Sequence, residues 1–180
     1  MRTFTLRPVV PEGDAGLLHR WVSHPKSRFW QMGDHDLEAV REEYRAIAEH
    51  PSHDAFLGLD GGEPVFLVER YDPAHDAVGT AYAVCPGDVG MHVLVAPTDR
   101  PVAGFTRAVF ATVMSWLFAD PSVTRVVVEP DIENTRIHAL NAWAGFETHG
   151  PVDLPDKTAL LSFCTREAFL ASPAHRGDAA

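Results

Sequence analysis

The sequence predicts an α+β fold in layers, with a mixed, mostly antiparallel central sheet flanked by helices. Three observations carry this. Runs with helical spacing alternate with short apolar runs of strand length. The strand-like runs of the middle third are joined by connections too short for parallel crossovers. Residues 124–129 form a near-continuous apolar run between two helical segments, the pattern of a strand buried on both faces. The 180 residues suit one domain with one sizeable core, expected over residues 1–170, followed by a flexible tail at 171–180.

Each element has its own signal. Phe4-Thr-Leu-Arg-Pro alternates apolar and polar residues, as a first strand does. Asp14 reads as the N-cap of a helix carrying Leu17, Leu18, Trp21 and Val22, and Pro25 stops that helix. A second helix starts at Asp36 as N-cap and runs through Tyr44 to Ala48. Strands are expected at residues 55–59, 64–71, 78–84 and 88–96, with Gly61-Gly62 as the turn between the first two. A helix spans residues 104–118 and is closed by Asp120-Pro121. After the buried strand at 124–129, residues 134–143 read as a helix with Gly145 just past its end. Strands at 146–149 and 159–164 complete the order.

Composition removes several classes of function. Apolar residues at 46% and charged residues at 22% describe a globular chain, not a disordered one. A net charge of -10 is wrong for a nucleic-acid binder, whose affinity rests on cationic contacts to phosphate, and it favours a cationic small molecule. No apolar run approaches the roughly 20 residues of a membrane helix, and the start lacks the pattern of a signal peptide. Cys85 and Cys164 lie far apart with no CxxC pair and read as reduced thiols, so a cytoplasmic location is expected. The ten histidines include no HExxH and no credible ligand spacing, so no metal is expected.

Five places are candidates for chemistry. The helix that begins near Gly104 offers unpaired amides and a partial positive charge, suited to a phosphate or pyrophosphate, with Arg100 and Arg107 close in sequence. Taken alone, the segment reads more readily as an ordinary loop-to-helix junction. His92 lies in the strand Met91-His-Val-Leu-Val and is either a hydrogen-bonded core residue or a proton carrier. Asp131 follows the buried strand and either caps the next helix or works at the carboxyl end of that strand. Trp30, beside Phe29, is a core aromatic or a wall of a substrate channel. Glu69 and Asp88 are carboxylates available to a distant ammonium or to solvent.

Read together, these segments resemble the GNAT-type acyltransferases of siderophore biosynthesis. That group includes the aerobactin hydroxylysine acetyltransferase, the mycobactin lysine acyltransferase and the desferrioxamine hydroxydiamine acyltransferase. The resemblance rests on Leu6-Arg-Pro, Leu18-His-Arg-Trp-Val-Ser-His-Pro, Arg28-Phe-Trp-Gln-Met, Gly90-Met-His-Val-Leu, Glu129-Pro-Asp, Asn134 with His138 and Leu140, Gly145-Phe and Leu154-Pro-Asp-Lys, in that order. It implies a GNAT fold and catalytic roles for His92 and Asp131. It implies an acyl-CoA co-substrate, acetyl or succinyl, and no metal. The backbone of Val93, Leu94 and Val95 would pair with the pantetheine arm as an added strand. Amides at Gly104, Phe105 and Thr106 would hold the pyrophosphate beside Arg100 and Arg107, with Asn134 and Trp143 along the cofactor. The pattern departs from the general motif Gln/Arg-x-x-Gly-x-Gly/Ala: only Gly104 fits, Thr106 stands at the last position, and Arg100 is one residue out of register.

The resemblance further implies direct transfer to the nitrogen of a small hydroxylamine, with N-hydroxycadaverine as the expected acceptor and N6-hydroxylysine as its relative. Asp131 would take the proton, while His92 would orient the hydroxylamine oxygen or share the base role. Phe29 and Trp30 would wall the acceptor, and Glu69 or Asp88 would meet its far ammonium. A monomer or homodimer is expected. An aminoglycoside or other primary amine as acceptor, and a non-catalytic acyl-CoA-binding module, are the competing readings.

Overall fold

Periodicity decides most of the elements found in the computed structural model, which describes residues 2–177. Its strands are β1 (Thr5–Pro8), β2 (His53–Asp60), β3 (Glu63–Tyr71), β4 (Asp88–Val95), β5 (Arg125–Val128), β6 (Glu147–Asp153) and β7 (Thr158–Thr165). Its helices are α1 (Pro11–Val22), α2 (Leu37–Glu49), α3 (Phe105–Ala119), α4 (Thr135–Trp143), α5 (Arg166–Ala171) and α6 (Pro173–Arg176). Among the described residues the strands form one sheet in the order β1-β2-β3-β4-β5-β7-β6. β1 with β2, β5 with β7 and β6 with β7 are antiparallel, whereas β4 and β5 are parallel. The sheet is therefore mixed and mostly antiparallel, as the sequence predicts.

The chain divides into two compact units, and β3 and β4 each give residues to both. The first holds the residues up to Arg70 and His92–Ala103. In α2 the buried residues Val40, Tyr44 and Ile47 fall at i, i+4 and i+7, one face of a helix. They pack with Leu18, Val22, Leu57 and Leu67 in one core cluster. Asp36 caps α2 through the Ala39 amide, as expected. Asp14 does not cap α1. Pro11 sets the first turn, because its fixed φ suits position N1 and its missing N–H is one the helix would leave unpaired. Asp14 instead reaches back to the Val10 amide at 2.8 Å and takes both Nη atoms of Arg7 at 2.7 Å.

The second unit holds Tyr71–Met91 and the described residues from Gly104 onward. Its α3 buries Val109, Phe110, Val113, Met114, Leu117 and Phe118. The strand expected at 78–84 is absent. A 3-10 turn, Pro73–His75, precedes it and a second, Ala77–Thr80, covers its start, capped by the carboxylates of Asp72 and Asp76. Those local bonds satisfy the backbone without a ladder, and Val78 serves as a buried plug beside Tyr71, Val127 and Leu161. β6 runs past the expected end at 149, through a register shift between Thr148 and Gly150.

Part of the segment expected as a tail is helical. α5 and α6 continue the chain, with Ser172 Oγ accepting from the His175 amide and Ala174 buried. Residues 178–180 of the expected tail lie outside the described residues.

Candidate active site

In the first unit, three elements bring polar side chains to one buried carboxylate on a fourth. Glu69 lies on β3 and is 6% exposed. Its Oε1 accepts from the Tyr44 hydroxyl of α2 at 3.1 Å. Its Oε2 faces His92 Nδ1 of β4 at 3.2 Å and His53 Nε2, at the start of β2, at 3.6 Å. Burial drives the Glu69 carboxyl upward, but the two imidazoles outweigh it and hold the group down at about 2. Burial raises the Tyr44 hydroxyl well above its ordinary value, and the Glu69 charge adds to this. Both shifts favour Tyr44 as the donor and Glu69 as the ionised acceptor of their hydrogen bond. The Trp30 ring stands edge-on to His92, with centroids 6.1 Å apart.

Three residues predicted from sequence therefore meet here: Trp30, Glu69 and His92. Glu69 is sealed by protein groups and has the anchor's place, so the expected contact to a substrate ammonium does not suit it. Phe29 is half-buried under the Arg28 guanidinium, 4.6 Å from its ring centre.

In the second unit, α3 begins at Gly104, whose φ of +76° is the left-handed conformation glycine adopts without strain. The Ala108 amide donates to the Gly104 carbonyl at 2.9 Å. No acidic side chain sits in the first turn, no side chain caps it, and a Cβ at Gly104 would meet nothing within 4 Å. The amides of Phe105, Thr106 and Arg107 therefore head a helix end whose charge and access suit an anion. The Arg107 guanidinium lies 5.4 Å from the Trp143 ring centre. Arg100 is exposed, on the loop of the first unit that precedes this helix.

Asp131 follows β5 and bridges to Ala159 of β7. Its Oδ1 accepts from the Glu133 amide at 2.8 Å, and its carbonyl accepts from Asn134 at 2.9 Å. The carboxylate thus shapes the turn into α4, and Asn134 stands at the N-cap position. On α4, both amide atoms of buried Asn141 and the Trp143 indole nitrogen lack a hydrogen-bond partner among the described residues. Leaving such groups unpaired costs about 1–3 kcal/mol each, so this helix carries polar groups suited to a ligand.

Asp88 is not available to a substrate. Arg125, its register partner on β5, donates Nε and Nη2 to its two oxygens at 2.8 and 2.7 Å. The Tyr82 hydroxyl and the Cys85 amide bond Oδ2 as well. Burial raises this carboxyl, and Arg125 with the Cys85 amide brings it below its ordinary value. Cys164 is buried, and burial with the nearby Glu147 charge pushes its thiol up to about 12.

Sequence reasoning missed His53, Tyr44 and Asn141. Tyr44 carried a helical-face signal only as an apolar residue. His53 carried none, because its partner is set by the pairing of distant strands. Among the described residues, no group of three or more His, Cys, Asp or Glu could hold a metal ion. None of the described helices is long and apolar enough to cross a membrane.

Comparison with known proteins adds independent findings. The family model described as an acetyltransferase (GNAT) domain matches residues 10–154. The chain is 29% identical to the N-hydroxyputrescine acetyltransferase of Acinetobacter baumannii, over 96% of this chain and 83% of that one. It is 27% identical to the lysine N-acyltransferase MbtK of a Mycobacterium species, over 94% and 70%. Among solved structures, AAC(6')-Ib in complex with ribostamycin and coenzyme A aligns with a TM-score of 0.83 at 26% identity, covering 94% of this chain and 97% of that one.

Proposed function

Because the chain belongs to the GNAT acetyltransferase family, and is thereby an acyl-CoA-dependent N-acyltransferase, we propose that it acylates the hydroxylamine nitrogen of a hydroxydiamine such as N-hydroxycadaverine. The product is a hydroxamate of the kind used in siderophores, and the enzyme works in the cytoplasm as a single GNAT domain over residues 1–170. The observation that carries this reading is the imidazole of His92 held 3.2 Å from the buried Glu69 carboxylate. The N-hydroxyputrescine enzyme of Acinetobacter baumannii, whose acceptor by name is also a hydroxydiamine, supports the acceptor class.

Acyl-CoA is the co-substrate. Amides at Gly104, Phe105 and Thr106 with Arg107 take its pyrophosphate, and Arg100 adds charge. The strand backbone at Val93, Leu94 and Val95 pairs with its pantetheine arm. Asn134, Asn141 and Trp143 supply polar and aromatic contacts along α4. The hydroxylamine nitrogen, largely unprotonated at neutral pH, attacks the thioester carbonyl. The N–C bond forms, the C–S bond breaks, and the nitrogen's proton passes through the protein to the departing thiolate. His92 and Asp131 handle that proton and the hydroxylamine oxygen. Trp30 and Phe29 wall the acceptor. No acyl-enzyme is needed: Cys164, with its thiol raised to about 12, is no nucleophile at neutral pH.

The test is thiol release from acetyl-CoA and succinyl-CoA with N-hydroxycadaverine. His92→Ala and Asp131→Asn are each expected to lower kcat by about 10²–10⁴-fold. Wild-type rates from both folded variants would remove the assignment. The likeness to AAC(6')-Ib favours one second reading, an aminoglycoside or other primary amine as acceptor.

A further inference from the structure

We infer that Glu69 is a positioning residue that fixes which nitrogen of the His92 ring carries the proton, making His92 the base of the reaction. The inference rests on the function proposed above and adds to it a division of labour between His92 and Asp131.

The geometry is that of an acceptor with one orientation. Glu69 Oε1 is tied to the Tyr44 hydroxyl, so Oε2 is the oxygen presented to His92 Nδ1, at 3.2 Å. An ionised carboxylate only accepts hydrogen bonds. Against it the neutral imidazole keeps its proton on Nδ1 and its lone pair on Nε2. The side chain of Glu69 is 8% exposed and that of His92 is 34% exposed. The ring is thus held at Nδ1 by the sealed carboxylate, with Trp30 edge-on beside it. His53 Nε2, 3.6 Å from the same Oε2, is a second imidazole on that oxygen. Both imidazoles favour the ionised carboxyl, so Glu69 stays an anchor and does not carry protons itself. The carboxylate of Asp131, by contrast, accepts the Glu133 amide at the turn into α4.

In the reaction, the lone pair on His92 Nε2 takes the proton released by the attacking nitrogen. The imidazolium so formed is stabilised by the Glu69 charge, and it then gives that proton to the thiolate. A buried carboxylate orients a histidine base by the same logic in the Ser-His-Asp hydrolases.

The test is Glu69→Gln, read in two ways. Long-range nitrogen–proton NMR of the imidazoles, with His92 assigned from a His92→Gln spectrum, reports where the proton sits. Neutral His92 in the wild type is expected as the Nδ1–H tautomer. A glutamine can present either its oxygen or its NH2, so Glu69→Gln is expected to give a mixture. Kinetically, kcat is expected to fall about 10²-fold or more, with KM for acyl-CoA changed less than about twofold. Tyr44→Phe, which frees only Oε1, is expected to move both readouts the same way by less, and it carries the test if Glu69→Gln fails to fold. Neutral His92 protonated on Nε2 in the wild type, or a tautomer and kcat unmoved by either variant, would overturn the inference. Failure of the wild type to acylate any hydroxylamine or amine would sink the underlying function alone, since the NMR arm still decides the tautomer.

Discussion

Asp88 and Glu69 are both buried strand carboxylates, and their partners give them different work. Asp88 faces a guanidinium, which stays charged at any working pH. Glu69 faces two imidazoles and a phenol. The first arrangement is structural. Asp88→Asn is expected to cost about 3 kcal/mol in urea denaturation, the low end for breaking a buried pair, because Arg125 keeps 25% of its side-chain exposure. The sign with pH follows from the lowered folded-state value of Asp88. Its contribution is fully present above the ordinary aspartate value of about 3.9 and is lost as pH falls through the lower folded value. Wild-type stability should therefore drop below about pH 4, and the Asp88→Asn curve should be flatter there. Unchanged slopes between the two would contradict the pairing. In the sequence these two carboxylates looked alike. Only the register that sets Arg125 opposite Asp88, and the strand order that sets β4 beside β3, tells them apart.

At the scale of elements, the start of α3 is the sharpest test. Gly104 at φ +76° has open space around its missing Cβ, and so does Gly62 at φ +93° in the turn between β2 and β3. Gly104→Ala and Gly62→Ala should each cost about 1 kcal/mol from backbone strain alone. Only Gly104→Ala should also raise KM for acyl-CoA, by roughly tenfold, equivalent to about 1.4 kcal/mol of binding. Equal KM values in the two variants would detach the helix end from the co-substrate. The helices and most strands were legible because their apolar spacing is local: Val40, Tyr44 and Ile47 mark α2 without reference to anything else. The segment at 78–84 misled because Tyr82 and Val84 look strand-like, while the decisive groups are the Asx caps at Asp72 and Asp76 just before it. Helix α6 has one turn and no apolar period, so its Ser172 cap was the single available signal.

At the scale of the whole molecule, the sheet order and family place acyl transfer from acyl-CoA beyond the reach of any one residue's reading. The candidate site was legible in part. His92, Glu69 and Trp30 were all visible as residues, but their meeting around Tyr44 and His53 depends on packing between distant segments. The net charge of -10 suits a cationic acceptor. The choice of acceptor turns on protonation. An alkyl amine with a pKa near that of lysine, about 10.4, is nucleophilic in roughly one molecule per thousand at pH 7.4, whereas a hydroxylamine is mostly free base.

The most direct measurement is the initial rate of thiol release from acetyl-CoA and succinyl-CoA with N-hydroxycadaverine and with cadaverine, at one pH near neutrality. The expected result is a kcat/KM at least about 100-fold higher for the hydroxylamine, in line with its larger unprotonated fraction. Equal or faster turnover of cadaverine, or of an aminoglycoside, would contradict the assignment of a hydroxylamine nitrogen as the acceptor.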